Sequence, residues 1–146
     1  VQTSLFPQAV LKLLNHFEKI FGRKRSFKNA PRTLDLDILY FDKKVCIERK
    51  ASLEEISGNL TNGRDRFEKE LSLAPETKVL LIENADYGDI ATGNYNTQYN
   101  KKSFVGSLHS FWFKYNVPVF FMKENKYSGL FIRMYFEYYF KNYLKG

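Results

Sequence analysis

Apolar and polar positions change period several times along this 146-residue chain. Val10, Leu13, Leu14, Phe17, Ile20 and Phe21 recur at helical spacing, which predicts an amphipathic helix over about 8–21, started by Pro7 and stopped by Gly22. A basic loop follows, GRKRSFKNAPR from Gly22 to Arg32. It reads either as a solvated connector or as an arm that tracks phosphates. Ser52 with Glu55 three residues on forms a capping-box pattern for a short helix ending near Gly58. A second helix is expected from about Gly63 to Ala74, with Phe67, Leu71 and Ala74 inward and Pro75 as its stop. Lys78–Glu83 is a continuous apolar run, as expected of a strand covered on both faces. Residues 84–100 read as a long irregular loop. Its Tyr87, Tyr95 and Tyr99 either stack on bases or pin the loop to the body. Ser103 is the expected cap of a helix with Phe104, Leu108, Phe111, Trp112 and Tyr115 on one stripe. Val117–Met122 is another strand, which Pro118 either places at an edge or makes start late. A last helix covers about Lys126–Leu144, with Ile132, Tyr135, Phe136, Tyr139 and Phe140 inward. This order predicts an α/β domain with a mixed sheet and helices on both faces.

The stretch LDLDILYFDKKVCIERK, Leu34–Lys50, alternates with period two on either side of a polar turn, as two antiparallel strands do. With a two-residue loop, Asp42–Lys43, Phe41 pairs with Lys44 and Asp37 falls opposite Glu48. Asp35, Asp37, Glu48 and Lys50 then share a face. Leu34, Leu36, Ile38, Tyr40, Val45 and Ile47 form the burial face. A three-residue loop puts Asp37 opposite Arg49 and splits the constellation. Three carboxylates facing one lysine suit a hard divalent ion and metal-assisted phosphodiester hydrolysis. The plainer reading is a solvated strand face crossed by weak salt bridges.

Composition narrows these choices only slightly. Hydrophobic residues at 44% and aromatic residues at 17% are ample for a core. The single cysteine, Cys46, rules out an internal disulfide and a cysteine-based zinc site. His16 and His109 read as ordinary helix residues rather than ligands. The net charge of +7 is compatible with a polyanionic partner. No stretch reads as a membrane span or secretory leader, so a cytoplasmic location is expected. The start at Val1 rather than Met is expected of a trimmed chain or a piece of a longer one.

Two resemblances meet near the hairpin turn. From Cys46 onward, CIERKASLEEISGNLTNGRDRFEKELSLAPETKVLLIEN resembles the XPF-type (ERCC-family) nuclease domain. Glu48, Arg49 and Lys50 match that family's Glu-Arg-Lys, and Glu54 stands where the family usually carries Asp. The Asn-Gly-Arg at 62–64 and LLIE at 80–83 also match. Asp37 lies near the spacing of the family's Gly-Asp, with Leu36 in place of the glycine. The resemblance covers residues 45–146 and implies a restriction-endonuclease-like three-layer α/β/α core with a central β-hairpin. It implies a magnesium- or manganese-dependent endonuclease acting on branched or flap DNA in repair or recombination. In that scheme Asp37 and Glu48 bind the ion with the Ile47 carbonyl, and Asp35 is a spare ligand. Lys50 orients the attacking water, Arg49 offsets transition-state charge, and Glu54 is a supporting acid. Asp42 serves the turn.

Residues 1–44, VQTSLFPQ and then GRKRSFKNAPRTLDLDIL, resemble hydroxymethyldihydropterin pyrophosphokinase of folate synthesis. There, Arg-Thr-x-Asp-x-Asp supplies a catalytic arginine and two magnesium aspartates, which would be Arg32, Asp35 and Asp37. Together the two resemblances predict one domain made of two fragments joined near the turn. The leading expectation is a DNA endonuclease. Its rivals are a DNA-binding module that does not cut, and pyrophosphoryl transfer from ATP to a pterin.

Overall fold

The computed structural model describes residues 38–41 and 44–145. The expected helix over 8–21, the basic loop, Arg32, Asp35, Asp37 and Asp42 lie outside the described residues. The chain divides into two compact units, one of residues 34–125 and one of 1–33 with 126–146.

The 34–125 unit is built on a four-stranded mixed sheet. Its strands are β1 (Ile38–Phe41), β2 (Val45–Lys50), β3 (Thr77–Glu83) and β4 (Val119–Met122), in that spatial order. β1 runs antiparallel to β2, while β2, β3 and β4 are parallel. The expected α/β class with a mixed sheet therefore holds. Pro118 precedes an edge strand, as its missing N–H requires. Parallel strands need covered faces. Accordingly Val45, Cys46, Ile47, Leu80, Leu81 and Ile82 are all buried, on both sides of the sheet.

The hairpin register differs from the one that united the acids. Phe41 pairs with Val45, and Ile38, not Asp37, stands opposite Glu48. The loop thus holds three residues, 42–44, and no residue of the turn is a Gly that would have fixed the shorter type.

Four helices follow in this unit: α1 (Leu53–Leu60), α2 (Arg64–Leu73), α3 (Tyr87–Thr92) and α4 (Lys101–Tyr115). The Ser52 hydroxyl accepts from the Glu55 N–H at 3.2 Å, and the Glu55 carboxylate accepts from the Ala51 N–H at 2.7 Å. This is the expected cap, reaching one residue further back than a standard box. α3 lies where an irregular loop was expected. A reciprocal box starts it: Asp89 N–H donates to the Asp86 carboxylate at 2.8 Å, and Asp86 N–H donates to the Asp89 carboxylate at 2.9 Å. Gly93, at φ 80°, ends it in the left-handed conformation that a glycine adopts without strain. α4 starts at Lys101, its cap three residues ahead of the expected Ser103, because the Asn100 side chain caps the N–H groups of Lys102 and Ser103.

Leu53, Ile56 and Leu60 of α1, Phe67 and Leu71 of α2, and Phe104, Leu108 and Phe111 of α4 join Leu80 and Ile82 in one core. Phe67 and Phe111 stack with centroids 5.8 Å apart. A 3-10 turn at Asn125–Tyr127 begins at the last residue of that unit, and α5 (Ser128–Lys145) belongs to the second. Its Ile132, Phe136 and Phe140 recur every four residues and are buried. No described helix is long and apolar enough to cross a membrane.

Candidate functional site

β2 carries Glu48, Arg49 and Lys50 in sequence, so the first and third share a face and the second points the other way. The Glu48 carboxylate and the Lys50 ammonium are 2.9 Å apart, and each residue is only 4% exposed. Lys50 Nζ also lies 5.1 Å from the centroid of the Phe67 ring, beneath α2. On β2 the solvated strand face is thereby corrected: Glu48 and Lys50 are buried and pair with each other. On the opposite face the Arg49 guanidinium forms a forked pair with Glu83, with Nη2 3.1 Å from Oε2 and Nε on Oε1. Glu83 is buried at the end of β3. Fork-on-carboxylate geometry is the strong form of such a pair. The sequence reading assigned Glu83 no such part, although an acid closing an apolar strand was the available signal.

Glu54 lies on the exposed side of α1 and turns to the 93–100 segment, accepting the Asn96 N–H at 2.9 Å. That backbone amide, first among several hydrogen bonds, holds its carboxyl below the usual range. Of the expected site residues, Glu48 and Lys50 are thus brought together, while Arg49 and Glu54 are engaged elsewhere. Asp35 and Asp37 lie outside the described residues. Among the described residues, no group of three or more His, Cys, Asp or Glu side chains is gathered to hold a metal ion.

Tyr95 and Tyr99 are folded in, not presented to bases. Their rings meet Phe104 at 5.2 and 5.1 Å. The Tyr95 hydroxyl donates to the Tyr99 carbonyl at 2.6 Å. The Tyr99 hydroxyl bonds the Ser107 hydroxyl, also at 2.6 Å. Tyr87 is half exposed and bonded to His109 Nε2 at 3.0 Å.

Among the described residues, two titratable groups carry large shifts. Burial, and then the nearby Glu48 charge, push the Cys46 thiol up to about 12, against the smaller pull of Lys78. At pH 8 the thiolate fraction is then of order 10⁻⁴, against roughly a quarter for a free cysteine. Labelling of native Cys46 by a thiol reagent at that pH is expected to be at least about a thousandfold slower than labelling of the denatured chain. Comparable rates in a stopped-flow comparison would contradict the burial.

Asp89 is held down to about 2, first by the Lys123 ammonium at 2.5 Å and then by the Asp86 N–H and the Asn94 amide. A depressed carboxyl pKa means that the unfolded chain takes up the proton first. This stabilisation is therefore complete above the ordinary Asp value and is lost as pH falls through about 2. Lys123→Met should move the Asp89 titration up toward 3.8. Carboxyl-detected NMR across that range checks it, and an unmoved midpoint would count against Lys123 as the principal cause.

Against known proteins, the sequence model described as 7,8-dihydro-6-hydroxymethylpterin-pyrophosphokinase (HPPK) matches residues 1–79, more than half of the chain. The matched stretch runs across the turn at 42–44. A 2-amino-4-hydroxy-6-hydroxymethyldihydropteridine pyrophosphokinase of Campylobacter jejuni is 62% identical over 45 residues, 31% of this chain and 29% of that protein. The Helicobacter pylori protein of the same name is 40% identical over 55 residues, 36% of this chain and 34% of that one. The chain therefore spans about a third of the length of the curated relatives it matches. Among solved structures, XPF from Aeropyrum pernix is similar with a TM-score of 0.49 and 16% identity. It covers 65% of this chain and 42% of that one, too slight a likeness to carry function.

These matches overturn the leading expectation. A DNA endonuclease, with repair or recombination as its setting and branched DNA as its partner, is replaced by a pyrophosphokinase relationship. The geometry on β2 agrees, since Ile38 stands opposite Glu48 where the nuclease scheme required Asp37.

Proposed function

We propose, from the premise that this chain belongs to the 7,8-dihydro-6-hydroxymethylpterin-pyrophosphokinase family, that it is a pyrophosphokinase module of folate synthesis. The single observation that carries the reading is the family match over residues 1–79, which contains Arg32-Thr33-Leu34-Asp35-Leu36-Asp37. The donor set fits magnesium: two carboxylates one residue apart supply hard oxygen ligands, and no soft sulfur or imidazole ligand stands in the segment. Asp35 and Asp37 would hold the ion. When bound, magnesium offsets charge on the phosphate oxygens and orients the polyphosphate. Arg32 binds a phosphoryl oxygen through its planar fork, as guanidinium groups do. Its role is to draw off charge while the pterin hydroxyl attacks the β-phosphorus of ATP and AMP departs.

The reading also supports a cytoplasmic location, consistent with Cys46 as an unpaired, buried thiol. We infer in addition that the 34–125 unit is the restriction-endonuclease-like variety of α/β core. The order β1-β2-β3-β4, antiparallel only at β1, supports this. That assignment concerns architecture and implies no nuclease chemistry.

The functional test is AMP release from ATP with and without 6-hydroxymethyl-7,8-dihydropterin, in magnesium. AMP that accumulates only with the pterin is expected. ATP turnover indifferent to the pterin would defeat the assignment.

A further inference from the structure

Within the 34–125 unit, α3, α4 and β4 line a half-open cavity of about 110 Å³. Its apolar wall includes Ile90, Leu108 and Val119, of which the first two are buried. Four rings close the rest. Tyr87 meets Phe121 edge-on, with centroids 6.0 Å apart at 89°, and His109 at 5.9 Å and 75°. His109 lies parallel to Trp112, at 6.2 Å and 2°. The polar side-chain groups of the lining are the Tyr87 hydroxyl, the His109 ring and the Trp112 indole N–H, the first two already joined at 3.0 Å. A tyrosine hydroxyl has one donor and two acceptor sites, so it keeps hydrogen-bonding capacity beyond that bond. Tyr87 is 51% exposed, which makes that capacity reachable from outside.

We propose that this cavity is a binding site for one neutral, monocyclic aromatic ring bearing a single hydrogen-bonding group, of the phenol type. Three features select that class. No Asp, Glu, Lys or Arg lines the cavity, so an ion entering it would lose hydration without a counter-charge. The volume is of the order of the engineered apolar cavity, about 150 Å³, that takes benzene, so the space between the walls holds one ring. Ring edges and faces line the wall, and these favour an aromatic guest over an aliphatic one of equal size. The proposal uses none of Arg32, Asp35 and Asp37 and is independent of the pyrophosphokinase reading.

Trp112 is the single tryptophan of the chain, so fluorescence reports on this wall alone. The experiment titrates the full chain with phenol, toluene and cyclohexanol, with saturation-transfer NMR in parallel. Saturable binding of phenol, about tenfold or more tighter than cyclohexanol, is expected. Tyr87→Phe should weaken phenol by roughly tenfold and leave toluene unchanged. Val105→Phe, which fills the cavity from α4, should abolish both while circular dichroism stays that of the parent. If that variant does not fold, the Tyr87→Phe comparison decides. Linear, non-saturating quenching overturns the proposal, and so does phenol binding unaffected by Tyr87→Phe. A Trp112 signal that shifts with protein concentration alone, as when a second copy fills the cavity, overturns it as well.

Discussion

Lys50→Met should destabilise the fold by about 3–5 kcal/mol, the cost of removing one partner of a buried ion pair. The reasoning runs from strand to charge. β2 is an interior strand, antiparallel to β1 and parallel to β3, and its residues are covered on both faces. Glu48 and Lys50 are both nearly inaccessible, and each supplies the charge that makes the other tolerable in a medium of low dielectric. Lys50 contributes further through the Phe67 ring, which attracts a cation in a desolvated setting. The double variant Glu48→Leu with Lys50→Met should recover much of the loss, because well-packed apolar residues often replace a buried pair at little cost. Urea denaturation of the two single variants and the double variant measures the coupling. A loss below about 1 kcal/mol for Lys50→Met would place the pair among exposed salt bridges and contradict its burial.

The second large effect concerns catalysis. Asp35→Asn combined with Asp37→Asn should lower pterin-dependent AMP formation about a hundredfold or more, equivalent to roughly 2.7 kcal/mol of transition-state stabilisation. An amide keeps the size of the side chain and removes the charge that draws in magnesium. Calorimetric titration should show the weakened magnesium affinity directly. Glu48→Gln supplies the contrast: it should alter stability and leave magnesium affinity where it was. Equal magnesium affinity in parent and double variant would remove these aspartates from the metal site.

Much of the fold follows from local chemistry visible in the chain. The apolar run at 78–83 is β3, Pro118 marks the edge strand β4, and Ser52 caps α1. The parts that were not visible have physical causes. Asp42–Lys43–Lys44 contains no Asn-Gly or Gly-Gly pair, so hydrophobic alternation alone could not choose between a two- and a three-residue loop. One residue of register then decided whether an acid or Ile38 stood opposite Glu48. α3 has a single apolar residue fully buried, Ile90, and so lacks a periodic stripe. Its legible signal was the Asp86-x-x-Asp89 pair, which satisfies the first-turn N–H groups. Glu48-Arg49-Lys50 looked catalytic because its spacing suits a metal. Burial turned the same three charges into two ion pairs within the described residues. The segment Arg32–Asp37 was legible in a different way, as a motif whose residue types and spacing match one chemistry, and the family match over 1–79 contains it.

The most direct measurement is mass analysis of the pterin after incubation with ATP, magnesium and the full chain. The expected product is the pterin carrying a diphosphate on its hydroxymethyl oxygen, formed one-for-one with AMP. Recovery of unmodified pterin from a folded, magnesium-loaded protein would contradict the pyrophosphokinase assignment.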